Sequence, residues 1–240
     1  TVAPFLDPKL DKQAYRGVVG NHLFGNVKEG GRIDTLKLVE TYRKYLQENN
    51  WIRFKKFNHK DILFENTSVK YHSLEAAKII FCEGFGLKKN PYFNHLPLEE
   101  VKGEIITILA PELEIDFLLK STLFVLPLGN NHYKVGATFN HRDKTSIPSK
   151  EGKEELIEKL KKVITVPYSI VEQSAGIRPA VKDRRPMVGV HAKHKQLSVL
   201  NGLGTRGVMI APTVAKNLFH HLEDDEALDQ EIDIKRFEKK

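Results

Sequence analysis

The chain has 240 residues, of which 40% are hydrophobic and 29% charged, a composition typical of a globular protein with one large or two small domains. No apolar run is long enough to span a bilayer, and the single cysteine, Cys82, excludes an intrachain disulfide and a cysteine-based zinc site. The histidines lack metal-ligand spacing. We therefore predict no metal, no membrane contact and a reducing, cytoplasmic location.

The formal net charge is +7, and the lysines are scattered among acidic residues. Two interpretations follow: an ordinary solvated surface, or attraction to a polyanion such as RNA. No zinc finger or aromatic RNA-binding signature accompanies the charge.

The first elements follow from local pattern. Residues 15–31 are typical of short strands broken by turns. Asp34 then precedes apolar residues at helical spacing, which predicts a helix over residues 35–48 with Asp34 as its cap. Residues 51–57 have the composition of a strand.

Residues 62–64 and 68–71 predict a hairpin. The apolar run from Ala76 to Cys82 has no polar face, which favours a strand buried on both sides, as in a parallel sheet.

From about residue 97 the pattern is that of an antiparallel sheet with one helix. The strand candidates are residues 101–108, 121–128, 132–139 and 169–173, with a turn at Gly129-Asn130-Asn131 and a helix over residues 150–163 capped by Ser149. We therefore predict three parts: residues 1–96, 97–172 and 173–240. The acidic tail after Leu222 is expected on the surface.

A glycine-rich turn lies between an apolar strand at residues 197–200 and a predicted helix. Its residues are Gly202, Leu203, Gly204, Thr205, Arg206, Gly207 and Val208. The glycines permit positive φ, while the helix N-terminus and Arg206 favour negative charge. The alternative is an ordinary strand-to-helix connection.

Six motifs occur in one order along the chain. They are GGRID at residues 30–34, the glycine-ended strand at 79–84, VKGE at 101–104, VGAT at 135–138, AGIRP with KD and PMVG at 175–189, and the turn with its helix at 202–212. In order and spacing they resemble the FAD-dependent amine and amino-acid oxidoreductases, the superfamily of D-amino-acid oxidase, glycine oxidase and sarcosine oxidase.

The resemblance implies an α/β plus antiparallel β (α+β) fold, with a partial Rossmann-like FAD lobe and an antiparallel substrate lobe. Residues 1–96 would hold part of the FAD lobe and early substrate-lobe strands, residues 97–172 the substrate lobe, and residues 173–240 the return to the FAD lobe. It implies FAD as cofactor, with Gly84 near the pyrophosphate and Gly202–Val208 near the flavin. The implied reaction is oxidation of a C–N bond by hydride transfer to the flavin.

Arg178 and Arg206 are the candidate catalytic residues. Arg178 matches the arginine that binds the substrate carboxylate in glycine-oxidase-like members. A salt bridge between Arg178 and Asp183 is the alternative. Arg206 would act as a flavin or substrate cation, or lie on the surface.

The family resemblance does not identify the substrate. Phe124 and Leu128 replace the tyrosine and arginine of glycine-oxidase-like members. The turn around Arg206 is similar to the flavin half of bifunctional enzymes that modify the tRNA wobble uridine. The partner is therefore a small amino acid or N-substituted amine, with tRNA open, as are the electron acceptor and the oligomeric state.

One family feature is missing from the sequence, the G-x-G-x-x-G fingerprint that cradles the pyrophosphate. We expect the chain to be a fragment, or to work with a separate N-terminal chain, and to bind FAD weakly by itself. The alternative functions are a non-catalytic ligand-binding module derived from this fold and an RNA-binding domain.

Overall fold

The computed structural model describes residues 3–20 and 23–238. The chain divides into two compact units, one of Thr1–Ile33 and Lys102–Ile177, the other of Asp34–Val101 and Arg178–Lys240. No helix in the described ranges combines the length and apolar character needed to cross a membrane. The assignment of these units to cofactor and substrate binding stays a prediction.

The α-helices of the described chain are α1 (Thr35–Glu48), α2 (Lys150–Leu160) and α3 (Gly207–Glu223). The strands are β1 (Ile62–Phe64), β2 (Val69–Tyr71), β3 (Leu74–Ala76), β4 (Ile79–Phe81), β5 (Leu98–Leu109), β6 (Leu119–Lys120), β7 (Phe124–Gly129), β8 (His132–Gly136), β9 (Ser169–Val181), β10 (Met187–Val190) and β11 (Leu197–Asn201).

The first unit is built on a five-stranded sheet in the order β6-β7-β8-β5-β9. Strands β7 and β5 flank β8 in antiparallel register, so that Val125 and Ile106 both face Val135. All three side chains are fully buried, and α2 adds Leu156 and Leu160 to the same core. The sheet is antiparallel where its pairings are described, as the sequence predicted.

Local signals set the ends of several elements. Asp34 Oδ1 accepts a hydrogen bond from the Lys37 backbone N–H at 3.0 Å, and Ser149 Oγ accepts one from Gly152 N–H at 3.0 Å, so both predicted helix caps are confirmed. Asn130 and Asn131 have positive φ in the β7–β8 turn, as a tight hairpin requires.

The second unit contains the sheet β10-β11-β4, in which β10 and β11 are antiparallel and β11 and β4 are parallel. Phe81, Met187 and Val199 are buried in its core. The parallel pairing was predicted, but burial on both faces was wrong, because Ile80 is 46% exposed. An apolar run reads the same whether or not another element covers each face of the strand, so the pattern could not reveal the exposure of Ile80.

Two other expectations were wrong. Residues 51–57 form no strand in the described chain, since no neighbouring strand pairs with their backbone, and most of their side chains are exposed. The segment after α3 does not lie wholly on the surface, because Leu228 and Ile234 are buried. Sequence pattern could not reveal this packing, because it depends on residues far away in the chain. One of them is Val188, which forms a parallel β-bridge with Asp233.

Candidate functional site

Two glycine turns meet at one edge of the second unit's sheet. Because β4 and β11 are parallel, their carboxyl ends lie at the same edge, and Gly84 and Gly202 follow those ends. Asn201 joins the turns: its Nδ2 donates to the Gly84 carbonyl at 2.9 Å, and its Oδ1 accepts from the Gly202 N–H at 2.7 Å. The carboxyl edge of parallel strands is the usual ligand-binding edge of an α/β sheet.

The glycines in these turns serve different purposes. Gly84, Gly202 and Gly204 all have positive φ, at 57°, 70° and 58°. A Cβ on Gly202 would lie 2.6 Å from Val181 Cγ2, so this position is required for packing. A Cβ on Gly84 or Gly204 would meet no atom within 4 Å. The backbone at these two positions is therefore open to a ligand.

The N-terminus of α3 follows directly. A short 3-10 helix, Gly204–Arg206, leads into α3 at Gly207, and no side chain caps the opening N–H groups of either helix. Uncapped N–H groups at the start of a 17-residue helix favour a ligand with negative charge.

Arg206 lies in this turn with its side chain exposed. Its Nη2 donates to the Arg184 carbonyl at 3.0 Å, so the guanidinium connects the start of α3 to the turn between β9 and β10. Arg184 has a φ of 59°, a conformation that such a contact helps to hold. The predicted role of Arg206 as a flavin or substrate cation stays a prediction.

Arg178 lies on β9, three residues before the Val181 that packs against Gly202. Its side chain is half-buried, and this burial lowers the pKa of the guanidinium from its ordinary value. Asp183, the alternative partner suggested by the sequence, forms an ion pair with Arg236, with Nε and Oδ2 2.9 Å apart. The predicted binding of a carboxylate by Arg178 stays a prediction.

The sequence did not reveal the polar side chains that hold the Gly84 turn. Glu83, just before this glycine, accepts a hydrogen bond from Asn90 Nδ2 at 2.7 Å and lies 2.9 Å from His59 Nε2. Asn201 begins the glycine-rich stretch, but the sequence assigned it no role, although an asparagine directly before a glycine is a common turn signal. These residues act on the site through the backbone conformation.

Lys102 belongs to the first unit and lies on β5. It is fully buried, with its Nζ 2.6 Å from Asp143 Oδ2, 3.5 Å from Glu104 Oε1 and bonded to the Ile147 carbonyl. Glu104 in turn accepts hydrogen bonds from the Ser149 hydroxyl and N–H. This network attaches the segment between β8 and α2 to β5.

The sequence profile of the DAO family, described as "FAD dependent oxidoreductase", matches residues 5–220. The chain therefore belongs to the DAO family of FAD-dependent oxidoreductases. Its cofactor is FAD. The second unit presents two open glycine backbones and an uncapped helix N-terminus at one sheet edge, and these groups fit the close approach of an anionic cofactor.

Two curated relatives illustrate the likeness. The tRNA 5-methylaminomethyl-2-thiouridine biosynthesis bifunctional protein MnmC of Marinobacter nauticus is 25% identical over 162 residues, covering 61% of this chain and 26% of that protein. The glycine oxidase of Bacillus subtilis is 25% identical over 134 residues, covering 53% of this chain and 36% of its own. The chain thus spans only about a quarter to a third of these relatives.

Solved structures share the fold at low sequence identity. The match to L-proline dehydrogenase from P. horikoshii covers 98% of this chain and 66% of that enzyme's chain, with a TM-score of 0.70 at 14% sequence identity. The match to iminodiacetate oxidase from Chelativorans covers 82% of this chain and 57% of that enzyme's chain, with a TM-score of 0.63 at 17% sequence identity.

Proposed function

We propose that the protein oxidises the C–N bond of an amino acid or of an N-substituted amine that carries a carboxylate. One observation carries the proposal: two glycine turns, joined by Asn201 at the carboxyl ends of parallel strands, open directly in front of an uncapped helix. In a DAO-family chain this arrangement suits FAD, with Gly202–Val208 near the flavin and Gly84 toward the pyrophosphate.

The residues have separate roles in this proposal. The N–H groups from Gly204 to Val208 and the α3 dipole would face the part of the flavin that gains negative charge on reduction. Open backbone at Gly84 and Gly204 would allow close contact with the cofactor. Arg206 adds a positive charge at the same helix start. The second unit is then the FAD lobe, and the first the substrate lobe.

Arg178 would bind the substrate carboxylate through its two-pronged guanidinium and so orient the amine. Bound FAD supplies the electron-accepting chemistry, by taking a hydride from the carbon next to the nitrogen. The oxidised substrate would be an imine, which water hydrolyses. This chain needs to position the amine and keep its nitrogen unprotonated for that step.

The relatives support two classes of substrate. Glycine oxidase is named for a free amino acid, whereas MnmC is named for tRNA biosynthesis. Iminodiacetate oxidase, a structural neighbour, is named for an N-substituted amine with carboxylates. A small amine is therefore the first candidate, and an amine attached to tRNA is the second.

The test is the absorption spectrum of the protein expressed with any flanking sequence that its gene encodes. Flavin bands that are bleached without oxygen by glycine, proline or iminodiacetate would support the proposal and rank the substrates. Flavin that none of these amines bleaches would reject the small-amine candidate. A colourless protein that takes up no added FAD would favour a non-catalytic binding module.

A further inference from the structure

A histidine side chain holds the turn between β10 and β11, a task that asparagine or aspartate usually performs. The Nδ1 atom of His191 accepts hydrogen bonds from the Lys193 N–H at 3.1 Å and from the His194 N–H at 3.0 Å. Asparagine makes such a turn with a side-chain oxygen that does not titrate. A ring nitrogen that accepts two N–H groups carries no proton, so this turn requires the neutral form of His191.

The same segment closes the hairpin at the start of β11. The His191 N–H donates to the Leu197 carbonyl at 2.9 Å, and the Leu197 N–H donates to the His194 carbonyl at 2.9 Å. The His194 ring stacks on Phe64 of β1, with centroids 4.2 Å apart. We call residues 191–197 the His191 turn. Backbone bonds fix its base, and the Nδ1 atom fixes the residues between.

Several groups around the ring disfavour a positive charge on it. Burial lowers the pKa of His191 from its ordinary value of 6.5, and the neighbouring His194, His95 and Lys193 lower this pKa further. The His194 ring centroid lies 5.0 Å from that of His191, and His95 lines the same small cavity as His191. A hydrogen bond to the Tyr92 backbone has the opposite, smaller effect on the pKa.

The other elements packed against the ring supply no compensating carboxylate. Before β5, the rings of Tyr92 and Phe93 meet the His191 ring edge-on, with centroids 6.2 Å and 5.4 Å away. Near the C-terminus, Glu238 lines the same cavity, but its side chain is exposed. No acidic side chain among the described residues contributes to the pKa shift of His191. A proton on this ring would therefore lack an anionic partner.

We propose that the His191 turn is an acid-sensitive switch, in which protonation of Nδ1 removes the acceptor of two backbone N–H groups and opens residues 191–197. An Nδ1–H group would point at the N–H groups of Lys193 and His194, and three donors would then face one another without an acceptor. This inference goes beyond amine oxidation, rests on residues of the second unit alone and does not require FAD.

Proton linkage gives the direction and the size of the response. In the open turn His191 has the ordinary pKa of about 6.5, whereas in the closed turn its pKa is lower. Above pH 6.5 neither form binds the proton, so the closed turn has its full stability. Below this pH the open form takes up one proton more than the closed form. The ratio of open to closed turns therefore rises about tenfold per pH unit, until the pH reaches the pKa of the closed turn.

The experiment is solvent-exchange NMR on the 15N-labelled protein, expressed with any flanking sequence that its gene encodes. It measures the protection of single amides between about pH 7.5 and pH 5, a range that spans the ordinary histidine pKa. We expect protection at Lys193 and His194 to be constant down to about pH 6.5 and then to fall about tenfold per pH unit. The Val135 amide, in the sheet of the first unit, reports general acid unfolding and should stay protected. Ring 15N shifts identify the nitrogen of His191 that takes up the proton.

Two substitutions separate the acceptor from its proton. H191N offers an amide oxygen near the position of Nδ1 and does not titrate, so the Lys193 and His194 amides should stay protected throughout the pH range. H191A has no acceptor and should lower their protection about tenfold at every pH, as expected for two lost hydrogen bonds. H132N removes a histidine from β8 in the first unit and should leave the wild-type pH response unchanged.

Several results would overturn the proposal. These are wild-type protection at Lys193 and His194 that does not change with pH, a pH response that persists in H191N, and an equal loss of protection at Val135. An H191A variant that is as protected as the wild type at neutral pH would show that Nδ1 does not hold the turn. None of these readouts involves flavin or an amine, so the oxidase proposal stands or falls separately.

Discussion

At the scale of single residues, Asn201 determines how the two glycine turns are joined. It is 3% exposed and makes one hydrogen bond to each turn. Asn201→Ala leaves the Gly84 carbonyl and the Gly202 N–H without this partner, so we expect a loss of about 1–3 kcal/mol in the free energy of unfolding. Urea denaturation of the variant and the wild type measures this difference in the free energy of unfolding. The exposed Asn66→Ala serves as control and should change stability by less than about 0.5 kcal/mol.

Arg178 allows a prediction about substrate recognition. In preparations that carry FAD, Arg178→Lys keeps the positive charge but loses the planar two-pronged contact, so kcat/KM for a carboxylate-bearing amine should fall about 10- to 100-fold. The same amine without its carboxylate should be oxidised equally well by both proteins. An equal loss on both substrates would show that Arg178 acts on the fold and not on the carboxylate.

At the scale of elements, the segment between β8 and α2 depends on the buried Lys102. The adjacent ammonium, with hydrogen bonds from Thr145, lowers the pKa of Asp143 from 3.8 to about 2. A depressed pKa means that the ionised carboxylate stabilises the folded state above about pH 4, and that this contribution disappears as pH falls from 4 through 2.

Thermal unfolding at pH 5 and pH 3 tests this dependence. At pH 5, Asp143→Asn should have a lower Tm than the wild type. The difference should shrink at pH 3, because the Asp143 carboxyl of the unfolded chain is then largely protonated whereas that of the folded protein is still largely ionised. The exposed Asp116→Asn is the control and should follow the wild type at both values. A Tm difference for Asp143→Asn that is constant with pH would contradict the ion pair.

Elements with strong local signals were predictable, and those that depend on distant partners were not. Asp34 and Ser149 mark α1 and α2 because a cap needs only the next few residues. Residues 51–57 look like a strand, yet a strand exists only where another chain segment pairs with it. Lys102 is charged within a strand pattern, and the acids that allow its burial come from elsewhere in the sequence.

The candidate site shows the same division. The strand, glycine turn and helix at residues 197–223 could be predicted from the sequence, because their signals are contiguous in the chain. The meeting of Gly84 with Gly202 was implied only by the family resemblance, since 117 residues separate the Asn201 side chain from the carbonyl that it binds. Sequence alone gave the parts of the site, and the parallel pairing of β4 with β11 brings them together.

At the scale of the whole molecule, the chain holds features suited to the flavin end of FAD but no G-x-G-x-x-G turn for its pyrophosphate. A buried diphosphate needs several aligned N–H donors or cations, and the flavin contacts alone do not replace them. We therefore expect FAD to bind this 240-residue chain with a Kd above about 10 μM, a binding free energy weaker than about 7 kcal/mol.

Quenching of flavin fluorescence on titration with the chain measures this affinity. Riboflavin, which has no pyrophosphate, is the matched ligand. It should bind about as weakly as FAD, because both share the ring system predicted to contact Gly202–Val208, and the single open backbone at Gly84 does not supply the several donors that a pyrophosphate needs. A submicromolar Kd for FAD together with weak riboflavin binding would mean that the chain cradles the pyrophosphate with residues outside the family fingerprint. The uncapped N-terminus of α3 and the open backbone at Gly84 would then be the first places to look for that cradle.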